Sequence, residues 1–134
     1  MSNLEDTLAI VQAHHSYLLA VDSHEAAPFV AHFAEDGVYV SPFGEAAGRA
    51  AIDQTIRQWH EGGVTAGKRH MIGPVSVELT SQDTAAAKSS YFVVEAAQTP
   101  GIVASGGYED QWRKVDGRWV IARRVQTVDP SFKF

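Results

Sequence analysis

The sequence predicts an α+β domain in which three helices cover one face of a mostly antiparallel sheet. Helical patterns occupy most of the first half of the chain, and four strand-like runs fill the second half. No repeat, linker or low-complexity stretch separates the two halves. Helices followed by an antiparallel meander are typical of α+β domains. Because the chain has 134 residues, of which 45% are hydrophobic, we expect one domain over residues 1–134.

The first helix is predicted to run from a cap at Ser2 to Asp22. Ser2 followed three residues later by Glu5 forms a capping box. Apolar residues then recur at helical spacing, and we expect this stripe to face the interior. Asp22 lies four residues after the end of the stripe and continues it. The residues of the stripe are Leu4, Leu8, Val11, His15 and Leu18.

A second helix is predicted over residues 24 to about 33, with Ser23 as its cap. Its start stays open because Pro28 fits a first turn better than a helix interior. The next elements are a turn at 36–37, a strand over 38–41, a loop over 44–48, and a third helix over 50–60 that ends at Gly62 and Gly63.

Four strands are predicted over about 68–80, 84–96, 102–114 and 118–129. The last two are joined by Asp116 and Gly117, a pair typical of a two-residue hairpin turn. Regular pairing from this turn places Asp110 opposite Arg123 and Glu109 opposite Arg124. Strict alternation then puts Arg123, and not Arg124, on the face of Trp119 and Ile121.

Composition excludes several kinds of function. Sixteen acidic and 11 basic residues give a net charge of −5, so we expect no nucleic-acid partner. The chain has no cysteine, which excludes disulfides, thiolate metal sites and cysteine nucleophiles. Its apolar runs are too short for a membrane span, and the acidic N-terminus does not resemble a signal peptide. We therefore expect a cytoplasmic protein with no membrane contact.

Six histidines remain as candidates for acid–base chemistry, and His70 is the strongest. It lies in a strand that turns apolar, where a buried imidazole needs a partner. Asp22 at the end of helix one is the best partner, although Asp22 and Ser23 could instead cap the next helix. The adjacent His14 and His15 diverge on a helix and make a poor chelate, so we predict no metal site.

These features together resemble the SnoaL-like branch of the nuclear transport factor 2-like superfamily. Within it, the sequence is most similar to the group of scytalone dehydratase, bile acid 7α-dehydratase and lindane dehydrochlorinase. The segments that carry the resemblance are residues 17–22, 48–52 and 69–70, together with the final hairpin segments 108–110, 116–121 and 123–124. The resemblance implies a cone-shaped fold over nearly the whole chain.

The resemblance also implies site residues. In that group an aspartate at the end of helix one pairs with a strand histidine that acts as the base, which maps onto Asp22 and His70. Tyr17 falls at a pocket position and Arg124 at the place of a pocket arginine. Tyr39 is expected in the core or the pocket wall. We predict that Tyr17, Tyr39 and Arg124 bind the substrate. Tyr17 and Asp22 lie about 140° apart on an ideal helix, so both reach one pocket only if the pocket wraps the helix.

We therefore expect a cofactor-independent lyase of the dehydratase type, acting on a small, largely apolar, cyclic or aromatic substrate. An isomerase or a polyketide cyclase could use the same pocket. A non-catalytic ligand-binding or dimerisation module is the third reading, since this fold serves both purposes. The resemblance favours a homodimer or a higher homo-oligomer.

Overall fold

The computed structural model describes residues 2–132, which form three helices and one curved six-stranded sheet. The sheet order is β2-β1-β6-β5-β4-β3. β1 pairs in parallel with β6, and every other neighbouring pair is antiparallel. The predicted α+β fold is confirmed. The elements are α1 (Asn3–Asp22), α2 (Ala26–Val30), β1 (Phe33–Ser41), β2 (Gly44–Ala47), α3 (Arg49–Glu61), β3 (Lys68–Leu79), β4 (Thr84–Glu95), β5 (Ile102–Val115) and β6 (Arg118–Val128).

Helix α1 begins at the predicted cap, but the predicted inward stripe is only partly right, because Leu18 is buried whereas most of the stripe before it faces solvent. The Ser2 hydroxyl accepts a hydrogen bond from the backbone N–H of Glu5 at 3.1 Å. Leu4 and Leu8 are 78% and 60% exposed, and His15 is exposed as well. The buried face carries Asp6, Ile10, His14, Tyr17 and Val21, a set with helical spacing that includes a carboxylate and an imidazole.

Asp6 shows why hydrophobicity alone selects the wrong face of α1. Its carboxylate accepts a hydrogen bond from Trp119 Nε1 at 2.8 Å and lies 3.0 Å from Lys114 Nζ. The bond from Trp119, with help from Lys114, lowers the pKa of Asp6 although burial opposes this. A carboxylate with such partners is stable inside, whereas a sequence pattern treats it as exposed.

The second helix and the first loop both differ from their predictions. Helix α2 ends at Val30, and Phe33 already begins β1. Pro28 is accommodated because it lies in the first turn, where backbone N–H groups need no partner within the helix. The predicted loop over 44–48 contains the short edge strand β2, paired with β1. Its glycine and alanines carry no strand-like alternation that could have revealed it.

The β5–β6 hairpin has the predicted two-residue turn, with φ of 52° at Asp116 and 75° at Gly117. Its register is not regular. Trp112 pairs with Ile121, but Gln111 pairs with Arg123, which leaves Ala122 as an unpaired extra residue. This bulge brings Arg124, and not Arg123, opposite Asp110.

Candidate active site

One cavity of about 130 Å³ lies between the helices and the inner face of the sheet. All four tyrosines of the chain line it, and most of the remaining wall is apolar. Its outer rim includes Phe43 and Val64, which are 59% and 46% exposed. The four tyrosines are buried and come from α1, β1, β4 and β5: Tyr17, Tyr39, Tyr91 and Tyr108.

His70 lines this cavity and contacts Asp22, the last residue of α1. The distance between His70 Nδ1 and Asp22 Oδ1 is 2.8 Å. The backbone N–H of His70 also donates to the same carboxylate, at 3.2 Å and 3.0 Å from its two oxygens. The carboxylate therefore holds both the ring and the backbone of His70. The side chains of His70 and Asp22 are 15% and 19% exposed.

This contact fixes the tautomer of a neutral His70 ring. A carboxylate can only accept a hydrogen bond, so Nδ1 must carry the proton that it donates. The second ring nitrogen, Nε2, then has a free lone pair. Among residues 2–132 it has no hydrogen-bond partner. A histidine in this state can accept a proton from a molecule in the cavity.

The hydroxyl protons of two cavity tyrosines are already committed to a chain of hydrogen bonds. Tyr39 donates to the side-chain oxygen of Gln126. Gln126 Nε2 donates to the Tyr91 hydroxyl at 3.0 Å, and Tyr91 donates to the Thr127 carbonyl at 3.0 Å. Tyr39 therefore lines the cavity as predicted, but its proton points to Gln126.

Tyr17 differs from these two tyrosines because its buried hydroxyl makes no hydrogen bond of normal geometry among the described residues, although the Tyr39 hydroxyl and the Arg124 guanidinium lie close enough to act on its pKa. Burial raises the pKa of Tyr17 to about 12, although the nearby Arg124 acts in the opposite direction. The phenol is therefore neutral and keeps its proton near neutral pH. Tyr17 and His70 line the same cavity, whereas Asp22 does not and reaches it only through His70.

Arg124 faces the interior, as the resemblance implied, but it does not line the cavity. It makes two hydrogen bonds of 2.7 Å with the Asp110 carboxylate. Its guanidinium lies 4.3 Å from the centre of the Tyr17 ring and 4.2 Å from that of Tyr108. In this position Arg124 cannot contact a substrate in the cavity directly, so its predicted role in substrate binding needs correction. Its charge acts through the two tyrosines that do line the cavity.

His14, which the sequence pattern marked only as a poor chelate with His15, completes this buried cluster. Its Nε2 lies 3.2 Å from Asp110 Oδ2, and its Nδ1 lies 2.9 Å from the Ile10 carbonyl oxygen. The ring also packs against Trp112, with centroids 5.3 Å apart. The helical spacing of His14 from Ile10 and Tyr17 was the signal that could have placed it inside.

The buried cluster makes stability depend on pH. Burial acts to raise the pKa of Asp110, but Arg124 and His14 outweigh it and hold the pKa at about 2, against an ordinary value of 3.8. A carboxyl with a depressed pKa contributes stability that is present above the ordinary pKa and is lost as the pH falls through the depressed one. We expect a loss of about 2 kcal/mol between about pH 5 and pH 2.

Urea unfolding of the wild type and of Asp110→Asn across this pH range measures that loss. Other carboxylates titrate in both proteins, so the difference between the two slopes isolates Asp110. Asp53→Asn, which alters an exposed carboxylate, is the control and should follow the wild type. Parallel curves for the wild type and Asp110→Asn would contradict the assignment.

Two further features of the described chain concern membrane contact and metal binding. None of the helices within residues 2–132 is both long and apolar enough to span a bilayer. In the same range, no three histidine or acidic side chains lie close enough together to hold a metal ion. Independence from metals and other cofactors stays a prediction.

Comparison with known proteins identifies the family. The model of the SnoaL-like domain matches residues 2–125. No curated protein matches the chain. A protein of unknown function with a cystatin-like fold from Nostoc punctiforme is similar in structure, with a TM-score of 0.86 and 26% identity over 98% of this chain and 96% of that one.

Two structures from Novosphingobium aromaticivorans are similar as well. A nuclear transport factor 2-like protein with a cystatin-like fold has a TM-score of 0.85 and 29% identity over 95% of this chain and 84% of that one. A candidate scytalone dehydratase has a TM-score of 0.80 and 25% identity over 95% of this chain and 86% of that one. The family model covers nearly the whole chain and the fold agrees, so this protein belongs to the SnoaL-like family.

Proposed function

We propose that the protein is a cofactor-independent lyase of the dehydratase type, with His70 as the general base. The observation that carries the proposal is the 2.8 Å contact of His70 Nδ1 with Asp22, which leaves Nε2 available beside the cavity. An imidazole is an effective base near neutral pH, and a carboxylate behind it stabilises the imidazolium that forms. The family supports an activity of the dehydratase, isomerase or cyclase kind.

In the proposed elimination, His70 Nε2 removes a proton from a carbon next to a substrate carbonyl. The electrons of the broken C–H bond form a C=C bond, and the hydroxyl on the next carbon leaves. The imidazolium returns its proton to that hydroxyl, so that the products are an unsaturated ketone and water. Asp22 stays ionised throughout and holds the ring in place.

Tyr17 is the best candidate to stabilise the negative charge that develops on the substrate oxygen. Its neutral hydroxyl lies near that of Tyr39 but makes no hydrogen bond of normal geometry among the described residues, and its ring lies against the Arg124 guanidinium. A positive charge behind the ring favours hydrogen bonding to an anionic oxygen. Tyr39 contributes the ring that forms part of the wall, since its proton is donated to Gln126.

Isomerisation is the second candidate, because a single base beside the cavity is enough for it. His70 would remove a proton from one carbon of the substrate and return it to another, which moves a double bond within a ring. A cyclase would use the same proton abstraction to form a carbon–carbon bond.

Two small ring ketones separate these reactions. Dehydration of 3-hydroxycyclohexanone and isomerisation of cyclohex-3-enone both give cyclohex-2-enone, whose conjugated carbonyl absorbs in the ultraviolet. We expect the wild type to convert at least one of these ketones. In deuterium oxide it should also catalyse the exchange of the ketone's acidic C–H protons for deuterium. His70→Gln is the matched control. Equal rates for both proteins in product formation and in exchange would contradict the proposal.

Assembly as a homodimer or a larger homo-oligomer, binding of a small-molecule substrate, and a cytoplasmic location also remain predictions. Sedimentation velocity of the purified chain measures the first of these.

A further inference from the structure

The charge of the cavity wall is opposite to that of the protein as a whole. The chain carries 16 acidic and 11 basic residues, for a net charge of −5. Within residues 2–132, no acidic side chain lines the cavity, whereas Lys68 and His70 do. A largely apolar cavity with one ammonium group and no carboxylate favours a ligand that combines an apolar body with an anionic group.

Lys68 lies at the start of β3, two residues before His70. Side chains two apart in a strand share a face and are separated by about 7 Å. The Lys68 ammonium donates to the Ala66 carbonyl at 3.2 Å. It forms no ion pair within 4.0 Å in the part of the chain that the structure describes. Two of its three N–H groups are therefore available to a ligand.

The nearest candidate to neutralise Lys68 is Glu95, which pairs with it across β3 and β4. Glu95 is instead held by its own loop, since its carboxylate accepts hydrogen bonds from the backbone N–H groups of Ala96 at 2.9 Å and Ala97 at 3.1 Å. The backbone N–H of Ala97, with help from Lys68, lowers the pKa of Glu95. Glu95 therefore lowers the positive electrostatic potential around Lys68, but it does not form an ion pair with the Lys68 ammonium.

Thr65 provides a second and independent indication of a polar ligand. It is 4% exposed and lines the same cavity. Its hydroxyl has no hydrogen-bond partner among the described residues. A buried hydroxyl without a partner is costly, and a ligand oxygen at this end of the cavity would supply one.

We infer that the natural substrate is a small ring that carries a carboxylate, bound by Lys68 and the Thr65 hydroxyl. This inference rests on the proposed function for the chemistry that follows binding. The cavity of about 130 Å³ is close to the roughly 150 Å³ cavity that holds benzene in another protein, which suits a single ring. With the carboxylate at Lys68, the ring lies among the tyrosines and next to His70.

Benzoate and benzamide test the inference because they have the same ring and nearly the same shape but differ in charge. We expect the wild type to bind benzoate about tenfold more tightly than benzamide, as measured by isothermal titration calorimetry. Lys68→Met should weaken benzoate binding about tenfold and leave benzamide binding unchanged, whereas Lys68→Arg should keep the preference. Thr65→Val should weaken benzoate binding by a smaller factor.

Lys88→Met is the matched control, because Lys88 is 79% exposed and lies 3.8 Å from Glu109, away from the cavity wall. It should leave both affinities unchanged. Lys68→Gln is measured in parallel, so that the test stands if one variant fails to fold. Equal affinity of the wild type for benzoate and benzamide, or equal loss of both in Lys68→Met, overturns the inference.

The binding test is independent of the proposed reaction. Benzoate has no proton that His70 could remove in an elimination. A preference for benzoate in a protein without turnover would support the carboxylate site and count against the lyase. Turnover of neutral ketones without any preference for benzoate would support the lyase and count against the carboxylate site.

Discussion

Arg124→Met is expected to lower the free energy of unfolding by about 3–5 kcal/mol, because it leaves a buried carboxylate without its counter-charge. The wild-type guanidinium makes two hydrogen bonds of 2.7 Å with Asp110, and both side chains are fully buried. His14 Nε2 remains 3.2 Å from Asp110, and Trp112 Nε1 still donates to it at 3.2 Å, but these two contacts replace only part of what is lost. Urea unfolding followed by circular dichroism measures the change.

Arg57→Met provides the matched control for this prediction. Arg57 forms an exposed ion pair with Asp53 at 2.8 Å within α3, and such pairs contribute about 0.5 kcal/mol or less. The double variant Arg124→Met/Asp110→Leu removes both buried charges and should be more stable than Arg124→Met alone. A loss in Arg124→Met no larger than in Arg57→Met would show that the buried pair does not support the fold.

His70→Ala is expected to reduce turnover of an accepted substrate by about 10²- to 10⁴-fold, because it removes the group that transfers the proton. Asp22→Ala should have a smaller effect, since the imidazole can still accept a proton, but in an uncontrolled orientation. Residues that act as one unit lose most of their effect with the first deletion. The Asp22→Ala/His70→Ala variant should therefore have a rate close to that of His70→Ala.

Steady-state rates of the three variants, with folding checked by circular dichroism, measure these effects. His15→Ala alters an exposed histidine of α1 and should keep the wild-type rate. Additive losses in the double variant would mean that Asp22 and His70 act separately. An undiminished rate in His70→Ala would exclude His70 as the base.

Local signals predicted the start of α1 and the turn between β5 and β6 well because the groups that fix these two boundaries are close in sequence. The Ser2 hydroxyl accepts from the backbone three residues on, and the positive φ angles of Asp116 and Gly117 suit only a tight turn. Asp22 and His70 are 48 residues apart in the chain, and their pairing was predicted from the end of the α1 stripe and from the resemblance to a family. The stripe holds at its end, where Leu18 is buried four residues before Asp22, but Leu4 and Leu8 at its start face solvent.

The features of the fold that the sequence pattern missed depend on contacts with residues in distant strands. Asp6 and His14 are inside because Trp119 and Asp110 lie where they can satisfy them. Helical spacing alone cannot show whether such a partner exists. The register of β6 was missed for a related reason: a single unpaired residue leaves no compositional signal, yet it decides which arginine is buried.

Ala122 is the place in β6 where a deletion should do least harm. Removing one residue from a strand ordinarily turns every following side chain to the opposite face. Because Ala122 has no partner in β5, its loss would join Ile121 directly to Arg123 and restore regular alternation. Arg124 would then keep its place opposite Asp110. A relative one residue shorter here can therefore bury the same arginine, and only its distance from the preceding turn would differ.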